Sequence, residues 1–164
     1  MKLLLDSNIF IEAKNRYYAF DICPGFWDWM DNVCGTEVGT IINVRDELIE
    51  GRDDLAEWAK KRRDADWFML VDDEETQQNF AAVVQAVTEG GYKDVAVEKF
   101  LSKADPWLIA KAMTIGATII THEVIEPHSK RRVPIPNICR EFNVPCVNTF
   151  DALRKYSTIF KLGS

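Results

Sequence analysis

Short runs of apolar and β-branched residues recur along the chain, and longer stretches with helical spacing separate them. Five runs predict buried strands: Leu3–Leu5, Val38–Ile42, Trp67–Val71, Ala117–Thr121 and, as the weakest, Val144–Val147. Helical spacing predicts helices at Pro24–Val33, Asn43–Glu50, Asp53–Asp64, Glu74–Glu89 and Pro106–Ile115. Gly51 and Gly116 are placed to end two of these helices. Because strands alternate with helices, the pattern predicts an α/β fold with a mainly parallel sheet of about five strands.

The chain shows no sign of division into several domains. Its 164 residues, 47% of them hydrophobic, fit one globular domain over 1–164, and no repeat or flexible linker interrupts them. No stretch approaches the roughly 18 consecutive apolar residues of a membrane helix, and the apolar run after Lys2 is too short for a signal peptide. We therefore expect a cytoplasmic protein with no membrane partner. One irregular stretch, Glu126 to Asn137, holds three of the six prolines and predicts an ordered surface loop.

Acidic residues follow the predicted strands at the points where a ligand would bind. In an open parallel sheet, ligands bind outside the carboxyl ends of the strands. Asp6 directly follows the first strand, and Glu123 lies just beyond the fourth. Glu47 is on the helix after the second strand, and Asp105 opens the helix that leads to the fourth. These four acids can therefore converge on one edge of the sheet.

Helical geometry places Glu47 on an inward stripe. Val44, Glu47 and Leu48 share one face of their helix, while Asp46 and Glu50 point elsewhere. An unpaired buried carboxylate is costly, so a residue in this position generally has a partner charge or a metal nearby. The alternative is an acid at the rim of the stripe that reaches water.

The other three acids also have structural interpretations. Asp105 precedes Pro106, so its carboxylate can cap the helix with or without a second role at a metal. Asp6 alone would be a turn former, and Glu123 alone would be a surface acid. Their joint placement favours a shared site. Clustered carboxylates repel one another unless a cation lies among them, so such a site predicts a bound metal. An all-oxygen site suits Mg²⁺ or Mn²⁺, which can activate a water against a phosphodiester.

Charge and cysteine content limit the other possibilities. The formal net charge is −6 and the isoelectric point is about 5.0, which argues against binding nucleic acid by bulk positive charge alone. The four cysteines contain no C-x-x-C pair, and the chain has only two histidines. We therefore expect free, mostly buried thiols rather than a structural zinc site.

Four short motifs occur in a fixed order along most of the chain. They are Leu5-Asp6-Ser7-Asn8, Glu47-Leu48-Ile49-Glu50-Gly51, Asp105-Pro106-Trp107-Leu108-Ile109-Ala110-Lys111-Ala112 and Ile120-Thr121-His122-Glu123. This series resembles the PIN domains, many of which are the ribonuclease toxins of VapC-type toxin–antitoxin pairs. The fourth acid in that family is more often Asp than Glu. The whole chain more closely resembles a less characterised branch of PIN-like proteins, which share Cys-Pro-Gly-x-Trp and Ile-Pro-Asn-x-Cys stretches, here Cys23 to Trp27 and Ile135 to Cys139.

The resemblance implies a three-layer α/β/α sandwich and endonucleolytic cleavage of RNA. Asp6, Glu47, Asp105 and Glu123 would be the catalytic residues and would bind Mg²⁺ or Mn²⁺. By the same resemblance, Ser7 and Asn8 would give the site polar support, and we count Thr121 with them. A cognate antitoxin would cover the active site, and homodimers are common among the similar proteins.

Two basic runs and an aromatic segment remain. Lys130, Arg131 and Arg132 would lie beside Glu123, either holding the phosphates that flank the scissile bond or forming an ordinary solvated loop. The run 60–63 is more simply a solvated helix face matched to the helix dipole. The aromatics of 17–29 could stack RNA bases, but their helical spacing favours core or dimer packing.

Other enzyme classes lack their motifs in this chain. No Gly-rich turn follows the first strand, as a dehydrogenase needs, and no G-x-x-x-x-G-K is present for a nucleoside triphosphatase. A phosphatase with an aspartyl nucleophile normally has a second Asp where this chain has Asn8. The alternative from another class is a PIN fold that has lost catalysis and serves as a scaffold for RNA or a protein partner. Retention of all four acids argues against it.

Overall fold

The computed structural model describes residues 2–155, and a parallel sheet forms its centre. Its strands are β1 Leu3–Leu5, β2 Val38–Ile41, β3 Phe68–Met69, β4 Thr118–Ile120 and β5 Cys146–Val147. Their order across the sheet is β3-β2-β1-β4-β5, and every adjacent pair is parallel. The α/β class and the mainly parallel sheet of five strands are therefore confirmed.

Strand β1 has the predicted bounds, whereas β2 to β5 are shorter than the apolar runs that predicted them. Ile42 begins a helix instead of ending β2, and β3 is reduced to two residues. Leu70, inside the predicted third strand, is largely exposed. An apolar run shows where a strand lies, but the point at which the chain leaves the sheet depends on hydrogen bonding to the neighbouring strand.

Helices cover both faces of the sheet. They are α1 Ser7–Glu12, α2 Pro24–Val33, α3 Ile42–Glu50, α4 Asp54–Lys60, α5 Glu74–Glu89, α6 Asp94–Leu101, α7 Asp105–Ile115, α8 Ile135–Glu141 and α9 Thr149–Lys155. A π-helical turn over Ala13–Tyr17 follows α1. Successive strand residues point to opposite faces, and all three residues of β1 are buried. The sheet is therefore the middle layer of an α/β/α sandwich.

Several helix predictions need correction. The helix predicted at Asp53–Asp64 is α4, which ends at Lys60. The chain turns after Lys60, and Arg62 bonds back to Asp31. The predicted loop from Glu126 runs into α8, which already begins at Ile135. The last residues of that stretch are therefore helical and buried instead of forming a surface loop.

The aromatic segment forms part of the core. Phe26 and Trp27 are buried, Tyr18 stacks on Phe26 with ring centroids 4.5 Å apart, and Phe20 stacks on Trp27 at 4.2 Å. This confirms core packing over base stacking for these rings. None of the helices within 2–155 is long and apolar enough to cross a membrane.

Strand register fixes where the first site residues lie. Leu5 pairs with Ile120 across β1 and β4, and Asp6 N donates to Ile120 O at 3.1 Å. The two strands therefore end together, so the residues that follow them emerge side by side at one edge of the sheet.

Candidate active site

Asp6 is held at the end of β1 by its neighbours. Its side chain caps α1 by accepting from Asn8 N at 3.4 Å, and its other carboxylate oxygen accepts from Thr121 Oγ1 at 3.1 Å. The residue is only 1% exposed. A carboxylate this deeply buried, with no cationic partner within 2–155, is more than the turn former that its position alone would suggest.

Glu123 follows Thr121 and is fixed by α8. Its main-chain N donates to Thr121 Oγ1 at 3.1 Å, and its Oε2 accepts from Ile135 N at 2.7 Å, where α8 begins. Arg132 lies 3.8 Å from the same oxygen, and the Glu123 side chain is 16% exposed. Glu123 is therefore a partly buried, oriented acid and not an ordinary surface residue.

Glu47 ties three elements together. Ser7 Oγ, from α1, donates to Glu47 Oε2 at 2.5 Å. Ala104 N, at the start of α7, donates to Glu47 Oε1 at 2.7 Å. The inward stripe predicted for Glu47 is present, since Val44 and Leu48 beside it are buried. Both carboxylate oxygens thus have a protein donor, and one of these donors is the Ser7 hydroxyl.

Asp105 differs from the other three acids in having no hydrogen-bond partner among the described residues. It is the first residue of α7, whose capping residue is Ala104, with no side-chain capping bond. Within residues 2–155 no hydrogen bond or ion pair engages the Asp105 carboxylate. The capping role considered for Asp105 is therefore not the one it plays, and its carboxylate is available to a ligand.

The four acids lie within electrostatic reach of one another. The pKa of Asp105 is raised to about 8, first by burial and then by the negative charges of Asp6, Glu123 and Glu47, while Lys103 lowers it. The pKa of Asp6 is raised to about 6, first by burial and then by Glu123, against the hydrogen bond from Thr121. The fold thus brings the four predicted acids to one place, where their charges oppose one another.

The four acids have the right donor atoms for a hard divalent cation, but they are not already arranged around a metal position. All the donors are carboxylate oxygens, which Mg²⁺ and Mn²⁺ prefer. In the described part of the chain, however, no three His, Cys, Asp or Glu side chains are already gathered into a group that could hold a metal. Asp105 has unengaged oxygens, whereas Glu47 is bonded through both. The donor set fits such an ion, provided that the carboxylates draw closer around it.

A cleft of about 250 Å³ is lined by two of these acids, Asp105 and Glu123, and by two basic segments. We call it the acidic cleft. Its polar lining consists of Asn8, Asp105, Glu123, Lys99, Lys103, Arg131 and Arg132. Of the predicted basic run, Arg131 and Arg132 line the cleft, but Lys130 does not. Lys130 lies against Gly91 instead, with its carbonyl accepting from Lys93 N at 2.9 Å.

Three of the cleft cations form no ion pair with any of the described residues. Arg132 is close to Glu123 and also lies 3.4 Å from Glu126. Among residues 2–155, no ion pair is formed by Lys99, Lys103 or Arg131. Unpaired cations around carboxylates are the arrangement expected where a polyanion is held beside a metal.

A model of the family called Domain of unknown function (DUF4411) matches residues 3–160. The chain belongs to this family. No curated protein matches it. Among solved structures, the DUF4411 chain is similar to one in the crystal structure of VapBC2 from Rickettsia felis bound to a DNA fragment from their promoter, with a TM-score of 0.52 and 14% sequence identity. That match covers 90% of this chain and 98% of the other, and at this identity it shows the fold alone, which is PIN-like.

Some cleft residues of the DUF4411 chain were not predicted from sequence. Lys99 lies on α6, a helix absent from the predicted set, and Lys103 lies in the turn after it.

Asn43 lies one turn before Glu47 on α3, a spacing visible in the sequence. Its Oδ1 is buried and has no hydrogen-bond partner in the described residues. Asn43 is therefore a further polar group on the helix that carries Glu47.

The second basic run is explained by structure rather than by nucleic acid. Arg62 forms two hydrogen bonds to Asp31 at 2.6 and 2.7 Å and lies 4.4 Å over the ring of Trp58. Lys60 pairs with Glu57 at 2.8 Å. These contacts stabilise the end of α4, so the run is more than the solvated face predicted for it.

Proposed function

We propose that this chain, acting as a single PIN-like domain, is a divalent-metal-dependent endoribonuclease. The observation that carries the proposal is the acidic cleft. There, in the described part of the chain, the Asp105 carboxylate has no hydrogen-bond partner and lies within electrostatic reach of three further carboxylates, beside three cations that form no ion pair. A phosphodiester carries the negative charge that such cations attract, and a hard cation is what such carboxylates attract.

In the proposal Asp6, Asp105 and Glu123 hold Mg²⁺ or Mn²⁺, and Glu47 completes the acidic set. Such an ion, when bound, supplies an activated water and neutralises charge on the departing oxygen. The chain's own residues do the rest. Lys99 and Lys103 from one side, and Arg131 from the other, position the phosphates on either side of the scissile bond.

Residues behind the acids keep them in place. Thr121 donates to Asp6 and accepts from the main chain of Glu123, so one hydroxyl orients two acids. Ser7 donates to Glu47 and so orients that acid. The side chain of Asn8 forms no hydrogen bond to any of the four acids, but it lines the acidic cleft, where its amide can contact the substrate. We assign these three residues to positioning rather than to chemistry.

The finer proposal is that the chain is the toxin of a toxin–antitoxin pair. The PIN-like fold shared with a chain of VapBC2 supports it, and an antitoxin would then be the protein partner. Expression of the parent should arrest growth, and the Asp6→Asn variant at equal protein level should not. Equal arrest by both would reject catalytic toxicity while leaving the nuclease proposal to its own test.

A second candidate is an inactive scaffold that binds RNA or a protein. Two observations favour it: both oxygens of Glu47 are already bonded within the protein, and no ready-made group of metal ligands is found in the described residues. A scaffold would show neither metal binding nor any metal-dependent activity for a mutation to remove.

The test is cleavage of a mixed panel of RNA and single-stranded DNA by the purified chain with Mg²⁺, Mn²⁺ or EDTA. The Asp6→Asn variant, purified identically, controls for contaminating nucleases. RNA cleavage that needs both the metal and Asp6 is the expected result. Cleavage by Asp6→Asn at the parental rate, or no cleavage together with no metal binding, would contradict the proposal and favour the scaffold.

A further inference from the structure

A second cavity adjoins the acidic cleft at Glu123. Its volume is about 560 Å³, within the range of small-molecule sites. Glu123 lines both cavities, so they adjoin at this residue. We call this second space the flanking cavity. A ligand that entered both would pass directly over the acid.

The flanking cavity has apolar walls that are open to solvent. Val124 is 66% exposed and Ile125 is 44% exposed, and both line the space with Val147 from β5. Two consecutive large apolar residues left in water next to a candidate active site call for a ligand surface to cover them.

Hydrogen-bonding groups stand at the rim of these walls. Arg140 on α8 is exposed and forms no ion pair within residues 2–155. Asn148 uses its Oδ1 to cap α9 through Asp151 N, at 2.9 Å, which leaves its amide nitrogen for another partner. His122 contributes a ring whose Nε2 is 3.4 Å from Thr149 Oγ1. The cavity therefore offers donors and a ring nitrogen above an apolar floor.

We infer that the flanking cavity is a nucleobase subsite, which receives the base of the nucleotide next to the scissile phosphate. The inference rests on the proposed function, because the adjoining acidic cleft supplies the phosphate site. A base has apolar faces and a polar edge, which match the walls and the rim respectively. A purely apolar ligand would cover the same walls but would offer no acceptor to Arg140 and Asn148, whereas a base offers ring nitrogens and carbonyl oxygens on one rigid ring. The base is therefore the better occupant.

The first experiment measures binding without cleavage. The four ribonucleoside 5′-monophosphates are titrated into the full chain in EDTA and followed by NMR, with ribose 5-phosphate as the ligand that lacks a base. At least one nucleotide should bind about tenfold more tightly than ribose 5-phosphate, which corresponds to about 1.4 kcal/mol. Equal binding of ribose 5-phosphate and all four nucleotides would overturn the inference.

Paired tryptophan substitutions locate the base. Ile125→Trp fills the mouth of the flanking cavity, whereas Ile22→Trp places the same ring at an isoleucine that is 75% exposed and lines neither cavity. Ile125→Trp should reduce nucleotide binding to the level of ribose 5-phosphate, and Ile22→Trp should leave it unchanged. Arg140→Ala should weaken nucleotides more than ribose 5-phosphate. Unchanged nucleotide binding by a folded Ile125→Trp variant would overturn the assignment.

These outcomes separate the subsite from the proposed nuclease. A chain that binds nucleotides through the flanking cavity but cleaves no RNA would retain the subsite and lose the function. A chain that cleaves random-sequence RNA with the same end-base distribution before and after Ile125→Trp would retain the function and lose the subsite.

Discussion

The hydroxyl of Thr121 donates to the carboxylate of Asp6 at 3.1 Å, although 115 residues separate them along the chain. The same oxygen accepts from Glu123 N at 3.1 Å. Because β1 and β4 are adjacent and end together, this single side chain connects the acids that follow both strands. Strand pairing brings Asp6 and Glu123 side by side, and the Thr121 hydroxyl links the two residues directly.

Thr121→Val tests this linkage by removing the hydroxyl while keeping the size of the side chain. We expect a fall in RNA cleavage of about 10- to 100-fold, as for other residues that orient metal ligands. The hydrogen bond lowers the pKa of Asp6, so the Asp6 carboxyl of the metal-free variant should titrate at a higher pH than that of the parent. Cleavage rates give the first quantity, and NMR titration of both proteins in EDTA gives the second.

Thr40→Val is the matched control for that substitution. Thr40 is also buried at the same sheet and donates to Leu5 O at 2.6 Å, but it bonds to none of the four acids. Both variants should lose about 1 kcal/mol of unfolding free energy, and only Thr121→Val should lose activity. Equal losses of activity would show that Thr121 acts through general stability.

Stability should fall with rising pH when metal is removed. Asp6 and Asp105 have pKa values of about 6 and about 8 in the folded chain, above their value of 3.8 in the unfolded chain. Between these limits the folded state holds more protons, so the unfolding free energy decreases as pH rises. We expect a decrease of roughly 2–4 kcal/mol from pH 5 to pH 8.

Urea unfolding in EDTA at several pH values measures this effect. Asp105→Asn removes the group with the larger shift and should flatten the decrease, with the variant more stable than the parent at pH 8. A parent whose stability stays constant or rises over this interval would contradict the clustered, uncompensated carboxylates described above.

The cleft cations should control the salt dependence of RNA binding. Binding is measured in an Asp6→Asn background so that the RNA stays intact. Replacing both Lys99 and Lys103 by Ala should lower the slope of log affinity against log salt by about 0.7 for each phosphate that a lysine no longer neutralises. Replacing Lys60 and Lys61, which lie outside the acidic cleft, is the matched control. An equal change in both double variants would show that only net charge matters.

The strands and the four acids could be predicted from sequence because each depends on local pattern. A buried parallel strand is a short apolar run, and the residue after it lies at the ligand-binding edge whatever the rest of the chain does. Asp6 and Glu123 follow from that rule alone. Glu47 follows from helical spacing beside Val44 and Leu48.

The lysines that line the acidic cleft could not be predicted in the same way. Lys99 and Lys103 face the acids only because α6 packs on α7, and that packing is not encoded in any pattern around the lysines. Lys130 shows the converse, since it adjoins Arg131 in sequence and yet lies against Gly91. The partners of Glu47 and Glu123 were missed for the same reason, because they are main-chain amides at the starts of distant helices.

The most direct test of the metal nuclease is the rate of cleavage of one RNA as a function of Mn²⁺ concentration, for the parent, Asp105→Asn and Asp28→Asn. Asp28 is an exposed acid outside the site and serves as the control. We predict that the rate rises from the EDTA background to saturation in the parent and in Asp28→Asn, and stays at background in Asp105→Asn. Cleavage that is independent of Mn²⁺, or the same Mn²⁺ response in all three proteins, would contradict it.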